Sequence, residues 1–380
     1  MSILKKILLI IIIILFSFIL FFLLQKREYI IKTIHLNEGF INIKSPDYKN
    51  IISSIEGVAI DPIMYSSGIS SNINSTTNKL PLNQLCIKGS YNSAYTGKYI
   101  SENMVSYVLS RGCRFLDFEI YYLPDTSGNY TTCVGYSSDP NASNPKISNS
   151  ENVLFLNILE STIQNAFIKS NSSMYTIINT NDPLFINIRL KTNKEDIPIL
   201  FKSIQNIISS ISKKSEYLRY FTKTKINGDT ILSSINKKII IIFEKNEFIN
   251  FSDSFYNIIS NTEDLTKSTY RQIDPNKFIA CPPKIKTDKE VVFNCNHTFN
   301  MVVPENYYES QNNPEIFSSI KDYGNQITLN QYYNSDNFLL EYENIFKTYN
   351  SAFVPLSYCL SYINNHYKPS KNIFPDLIES

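Results

Sequence analysis

Tryptophan is absent from this 380-residue chain, glycine is held to 10 residues, and there are only 3 histidines. None of these, His35, His297 and His366, falls on an expected strand end, so a strand-end site that moves protons through imidazole is excluded. The lack of Trp and Gly beside abundant Ile, Asn, Lys, Tyr and Phe suggests an AT-rich coding genome, as in protists and large DNA viruses, more than a physical requirement. Charge is sparse at 18%, and 36 Lys and Arg nearly balance 34 Asp and Glu. The first 32 residues hold five basic side chains and one acidic one, so with a total of +2 the remainder stands at −2. A body without basic runs excludes nucleic acid as the main partner, because neutralising phosphates takes clustered Lys and Arg.

Cysteine is limited to six residues, Cys86, Cys113, Cys133, Cys281, Cys295 and Cys359, and their spacing fits no zinc pattern. They suit disulfides in an oxidising compartment, with Cys281 and Cys295 the first pair to test, and suit free buried thiols equally. One long apolar run is present. From Ile7 to Leu24 only Ser17 is polar, and at about 1.5 Å per residue the run reaches roughly 27 Å, enough to span a bilayer. Phe21, Phe22, Leu23 and Leu24 lead straight to Lys26 and Arg27 without the small residues of a signal-peptide cleavage site, which favours an uncleaved anchor. With so short a head, residues 1–6, a cytosolic N-terminus and an external body are expected.

Residues 25–80 read as a juxtamembrane stalk that ends in the polar run Ser71 to Lys79, too polar to pack. Beyond it, strand and helix periods alternate as in parallel α/β folds. Strands are expected at Gln84 to Lys88, Arg114 to Tyr122, Leu184 to Leu190, Lys238 to Glu244, Gln326 to Asn330 and Ala352 to Pro355. Phe155, Ile158, Leu159, Ile163, Ala166 and Phe167 recur at helical spacing, as do Leu200, Ile204, Ile207, Ile208 and Ile211. A further helix is expected from Asp336 to Lys347, while the stretch near 262–308 reads as an irregular insertion and 367–380 as a tail.

Several motifs recur in one order. Leu85 to Gly97 reads as a strand followed by a loop, and Gly112-Cys113-Arg114 leads into a strand carrying Asp117 and Glu119. Tyr323-Gly324-Asn325-Gln326-Ile327-Thr328-Leu329-Asn330 follows, then Phe346 and Phe353-Val354-Pro355. Over about Pro81 to Ile363 this set resembles the phosphatidylinositol-specific phospholipase C, or PLC-like phosphodiesterase, superfamily. The resemblance implies a distorted (β/α)8 barrel of the TIM type over 81–366, preceded by the transmembrane helix 7–24, with the site at the C-terminal strand ends. In that family one His is the base, a second His is the acid, and Ca2+, where used, offsets transition-state charge.

Carried over by position, the metal ligands are Asn92, Asp117 and Glu119, and the base position holds Tyr91, whose reference pKa of about 10 leaves almost no phenolate near neutral pH. The second His position holds Val134, which cannot transfer a proton, and a fourth acidic ligand falls at Arg189, which repels Ca2+ but can contact phosphate. Arg114 and Arg189 are thus the expected substrate-binding residues, with Arg114 alternatively a structural ion-pair partner of an acidic residue on its strand. No catalytic residue and no cofactor is expected, Ca2+ being the one candidate. The implied protein is a catalytically inactive, single-pass membrane module. Its body is extracytosolic, lumenal or on a virion surface, and its ligand is a phosphoinositide or another phosphate headgroup. The alternative is an active phosphodiesterase with an unusual catalytic apparatus.

Overall fold

The computed structural model describes residues 77–137, 152–168, 180–249, 256–259, 265–274, 277–280, 299–304, 312–321 and 324–366. The expected span 7–24, most of the stalk, the tail 367–380, His35, His297, Cys281 and Cys295 lie outside the described residues. Among the described residues no helix is long and apolar enough to cross a membrane.

Among the described residues twelve strands form one sheet. In chain order they are β1 (Leu85–Ser90), β2 (Phe115–Pro124), β3 (Tyr130–Gly135), β4 (Val153–Leu154), β5 (Leu184–Lys191), β6 (Ile239–Glu244), β7 (Tyr256–Ile259), β8 (Leu265–Asp274), β9 (Lys277–Ala280), β10 (Phe299–Pro304), β11 (Ile327–Asn330) and β12 (Phe353–Pro355). Parallel pairing runs β1, β2, β5, β6, β7, β8, β10, β11 and back to β1, so the ring closes as a parallel barrel. The remaining strands are antiparallel additions. β12 takes the lower part of one edge of β1 at Leu85 to Ile87, and β2 takes the upper part at Gly89 and Ser90.

Among the described residues six α-helices accompany the strands: α1 (Glu102–Ser110), α2 (Phe155–Phe167), α3 (Ile197–Ser212), α4 (Ile316–Lys321), α5 (Asn337–Tyr349) and α6 (Leu356–His366). α3 begins with Pro198, whose missing N–H costs nothing in a first turn, and α5 is capped by Asp336, whose Oδ1 accepts from the Leu339 amide at 2.8 Å. Their apolar stripes cover the outward residues of the strands: Phe201 of α3 meets Phe243 of β6 edge to face at 5.2 Å. Among the described residues no α-helix lies between β6 and β10, so the helical coat is incomplete there.

Strands buried on both faces read as continuous apolar runs, and Ile239 to Phe243 is such a run. The stretch expected to be an irregular insertion instead contains β8, β9 and β10. Two of these are barrel staves. Phe299-Asn300-Met301-Val302-Val303 is buried throughout, and Pro304 ends the strand.

The inward side chains form layers. At the bottom, Ile87, Phe115, Phe185, Ile240, Met301 and Ile327 belong to one apolar core, with the Phe115 and Phe185 rings stacked at 5.7 Å. Thr77–Lys79 and Leu82–Gln84, short 3-10 turns, close this end against the segment around Leu232–Ile235, and the Leu82 amide donates to the Thr230 carbonyl at 3.0 Å. Thr77 is buried, so the final part of the polar run packs after all. Gly89 lies inside β1, where an added Cβ would come within 2.6 Å of Leu329 Cδ2. Gly97 does turn the chain, at φ +94°.

Outside the ring, Lys88 reaches Glu343 Oε1 at 2.9 Å and the Arg111 carbonyl, while Arg111 pairs with the other Glu343 oxygen. Tyr332 donates to Glu343 Oε1 at 2.9 Å, and the Gly89 amide donates to the Tyr342 hydroxyl at 2.6 Å. This cluster fastens β1 to α5. Cys86, Cys113, Cys133 and Cys359 are free and buried.

Candidate functional site

Above the aromatic layer the barrel interior turns polar, and register explains how. Phe115, Asp117 and Glu119 of β2 stand opposite Phe185, Asn187 and Arg189 of β5. With a period of two, all six point to one face, so the step from Phe to Asp and Asn to Glu and Arg climbs towards the C-terminal mouth. At the top of β1 the chain turns through Tyr91 and Asn92, and Asn92 takes φ 43°, a left-handed conformation that Asn tolerates better than most residues. The turn is tied to β2: Asn92 N–H donates to Asp117 Oδ2 at 3.1 Å, Ser93 N–H to the Asp117 carbonyl at 2.8 Å, and Asp117 N–H to Ser93 Oγ at 3.1 Å.

Arg189 lies at the centre of this set. Its Nε donates to Asp117 Oδ1 at 2.9 Å and its Nη2 to Asp117 Oδ2 at 2.7 Å, a bidentate pair. Nη2 also reaches Asn92 Oδ1 at 2.7 Å, and Nη1 reaches Glu119 Oε1 at 2.6 Å and the Tyr91 hydroxyl at 3.2 Å. Five hydrogen bonds account for the five N–H donors of a guanidinium. The cation also lies 4.6 Å from the centre of the Tyr91 ring. Asp117 Oδ1 further accepts from Asn187 Nδ2 at 2.8 Å, and Glu119 Oε2 accepts from Tyr121 Oη at 2.8 Å and from the Ser137 amide at 3.2 Å.

These contacts decide the protonation states. Burial pulls Arg189 down, but Asp117, Tyr91 and Glu119 outweigh it and hold the guanidinium well above its usual value. Burial pushes the Tyr91 phenol well above its usual range despite the neighbouring cation, so it stays protonated. The cluster is shut off from solvent, with Arg189 2% and Asp117 0% exposed. Three tyrosines from nearby loops cover the same end of the barrel. Tyr95 stacks on Tyr136 at 4.2 Å and meets Tyr333 edge-on at 4.8 Å, all three buried.

Tyr91, Asn92, Asp117, Glu119 and Arg189, the positions that the family resemblance implied, are therefore brought together. Val134 lies on β3 opposite Ile120, a buried apolar residue in an antiparallel pair. Arg114 is elsewhere: it precedes β2, is fully buried, donates to the Ala166 carbonyl at 3.1 Å and lies 3.9 Å from Asp182. Burial lowers its pKa while Asp182 opposes the shift. It forms a buried structural ion pair with Asp182, which precedes β5. Arg189, also expected on phosphate, directs its donors at the chain's own oxygens. His366, on α6, bonds to the Tyr362 carbonyl and stacks on the Tyr362 ring.

Asn187 and Tyr121 were not singled out from the sequence. Both lie two residues from a recognised position on the same strand face, so strand periodicity alone could have found them. The tyrosine cover has no such signal, since its members come from three distant loops.

A Ca2+ ion takes six to eight oxygens at about 2.3 to 2.6 Å. The oxygens of Asp117 and Glu119 and the Asn92 side-chain oxygen all accept hydrogen bonds, four of these five from Arg189 itself. These residues do not fit a calcium ion while Arg189 stands among them, and among the described residues no group of three His, Cys, Asp or Glu side chains suits a metal.

No protein-family model and no curated protein matches the sequence. Solved structures do. The crystal structure of S. officinalis PLC21 is similar at 12% identity and a TM-score of 0.45, over 73% of this chain and 37% of that one. L. pealei PLC21 is similar at 13% identity and a TM-score of 0.48, with the same coverages of 73% and 37%. The structural likeness is to phospholipases C. A calcium-dependent phosphoinositol-specific phospholipase C from Pseudomonas sp, a Gram-negative bacterium, is similar at 12% identity and a TM-score of 0.37, over 74% of this chain and 98% of that one. This chain thus spans just over a third of the length of the two PLC21 proteins. With TM-scores below 0.5, the functional reading rests on the geometry of the mouth.

Proposed function

We propose that this protein is a PLC-like barrel that does not hydrolyse phosphodiesters and serves as a structural or interaction module. Residues 7–24 tether it to a bilayer, with the body on an extracytosolic, lumenal or virion face. The observation that carries the reading is the Arg189 guanidinium, which fills the acidic mouth with a cation belonging to the chain and leaves no donor directed at a ligand. The two positions where the resemblance implies histidines support it, because a buried neutral phenol at Tyr91 and an alkyl group at Val134 supply neither base nor acid. Positioned acids and bases each contribute on the order of 10²- to 10⁴-fold, so losing both removes most of the rate.

The test is an assay of the full chain in detergent against phosphatidylinositol and a glycerophosphodiester, with and without Ca2+. The expected result is hydrolysis at the rate of the protein-free control in both conditions. Calcium-stimulated turnover that Tyr91→Phe or Asp117→Asn lowers would overturn the reading and establish an enzyme with an unusual apparatus.

A further inference from the structure

A groove of about 520 Å³ runs along the outer flank of α3, away from the mouth. That volume is in the range of roughly 300 to 1,000 Å³ typical of ligand pockets. Helical spacing sets one wall, with Lys202 and Lys213 on the same face of α3, and the following segment supplies the other through Leu218, Phe221 and Lys223. Ile208 lies beneath them, buried, and no carboxylate lines the groove. All three lysines are exposed, and so is Leu218 at 61%. The C-terminus of α3 contributes about half a negative charge, which three ammonium groups outweigh. An anion with an apolar portion suits this lining.

Position in the fold adds a second observation. The groove descends to the end of α3 and the segment before β6, where Phe221 bridges Ile239 and Lys238 Nζ donates to the Arg219 carbonyl at 2.7 Å. This is the N-terminal end of the barrel, opposite Arg189. The chain also enters the described body here, through Pro81 paired with Ile231, a residue 39% exposed. The described body thus begins at the barrel end where Lys213 and Lys223 lie, while Lys202 stands about three turns back along α3.

We propose that the groove seats the phosphate of an anionic lipid headgroup, with its apolar lining against the first carbons below, so that the N-terminal end of the barrel rests on the bilayer. The orientation rests on the tether reading. A free phosphate ion satisfies the lysines but gives Leu218 and Phe221 nothing to cover, which is why the lipid is the source of choice.

The test uses the full chain in nanodiscs of phosphatidylcholine alone or of phosphatidylcholine with phosphatidylserine, with lysine acylation read by mass spectrometry. Lys202, Lys213 and Lys223 are expected to lose reactivity only in the phosphatidylserine discs and to regain it at high salt, while Lys98, exposed beyond β1 at the other end, stays reactive in both. The double variant Lys213→Glu with Lys223→Glu, at exposed positions, is expected to abolish the protection of Lys202. Equal acylation in the two discs, or protection by inorganic phosphate without lipid, would overturn the proposal. Retention of the protein in both kinds of disc reports on the tether separately, so failure of the groove and failure of the anchor are told apart.

Discussion

A guanidinium presents five donors in one plane, and at Arg189 three of them meet carboxylate oxygens of β2 while two meet the turn after β1, at the Asn92 side-chain oxygen and the Tyr91 hydroxyl. Removing the cation leaves Asp117 and Glu119 buried without their partner, and breaking such a pair costs about 3 to 5 kcal/mol. Arg189→Ala is accordingly expected to lower the urea midpoint strongly. Ca2+ is expected to restore part of that loss in the variant and to leave the wild-type midpoint unmoved; a calcium-induced rise in the wild type would contradict the tethered-cation account. The members of this cluster were legible as positions, because the family resemblance places them on β1, β2 and β5. What each one touches was not. Period two sets the face on which Arg189 lies, but its choice between the chain's own carboxylates and an incoming phosphate depends on the pairing of β2 with β5. Arg114 illustrates the same limit, since its partner Asp182 is remote in sequence and sits before β5.

β1 works on both faces at once. Its inner face needs Gly89 because Leu329 fills the space a Cβ would take, so Gly89→Ala is expected to destabilise by about 1 to 3 kcal/mol, measurable as a lower melting temperature. An unchanged melting temperature would mean that Leu329 moves aside freely. Its outer face carries Lys88, which shares one carboxylate with Arg111. Burial, with Arg111 adding to it, pulls Lys88 from 10.5 down to about 7. Above that pH the folded protein sheds a proton that the unfolded chain still holds, so this group makes stability rise with pH, by up to about 1.4 kcal/mol per unit. The rise should be read between about pH 7 and 9, because Cys113, pushed by burial from 9.0 to about 11, acts in the opposite direction above that. Urea titrations across this window are expected to slope upward for the wild type and to flatten for Lys88→Met. An identical slope in the variant would place the effect elsewhere.

At the scale of the molecule, the strands carrying apolar runs were readable to within about two residues, as β5 and β6 show. The staves β7, β8 and β10 were not; β8 reads Leu-Thr-Lys-Ser-Thr-Tyr-Arg-Gln-Ile-Asp and lacks any such run. Its strand character comes from its neighbours: β7 and then β9 along one edge, β10 along the other. The antiparallel role of β12 was equally hidden, as direction is a property of the ring and not of three residues. The way β1 is held between β11, β12 and β2 also bears on how the chain reaches its fold. The Gly89 amide waits for a hydroxyl 253 residues later, and ring closure requires pairings of similar range. Such a topology has a high contact order, so folding is slow and completes only after the last strands have left the ribosome. Until then the first strand of the barrel is an open edge, and chains truncated before β11 are expected to aggregate where the full chain does not.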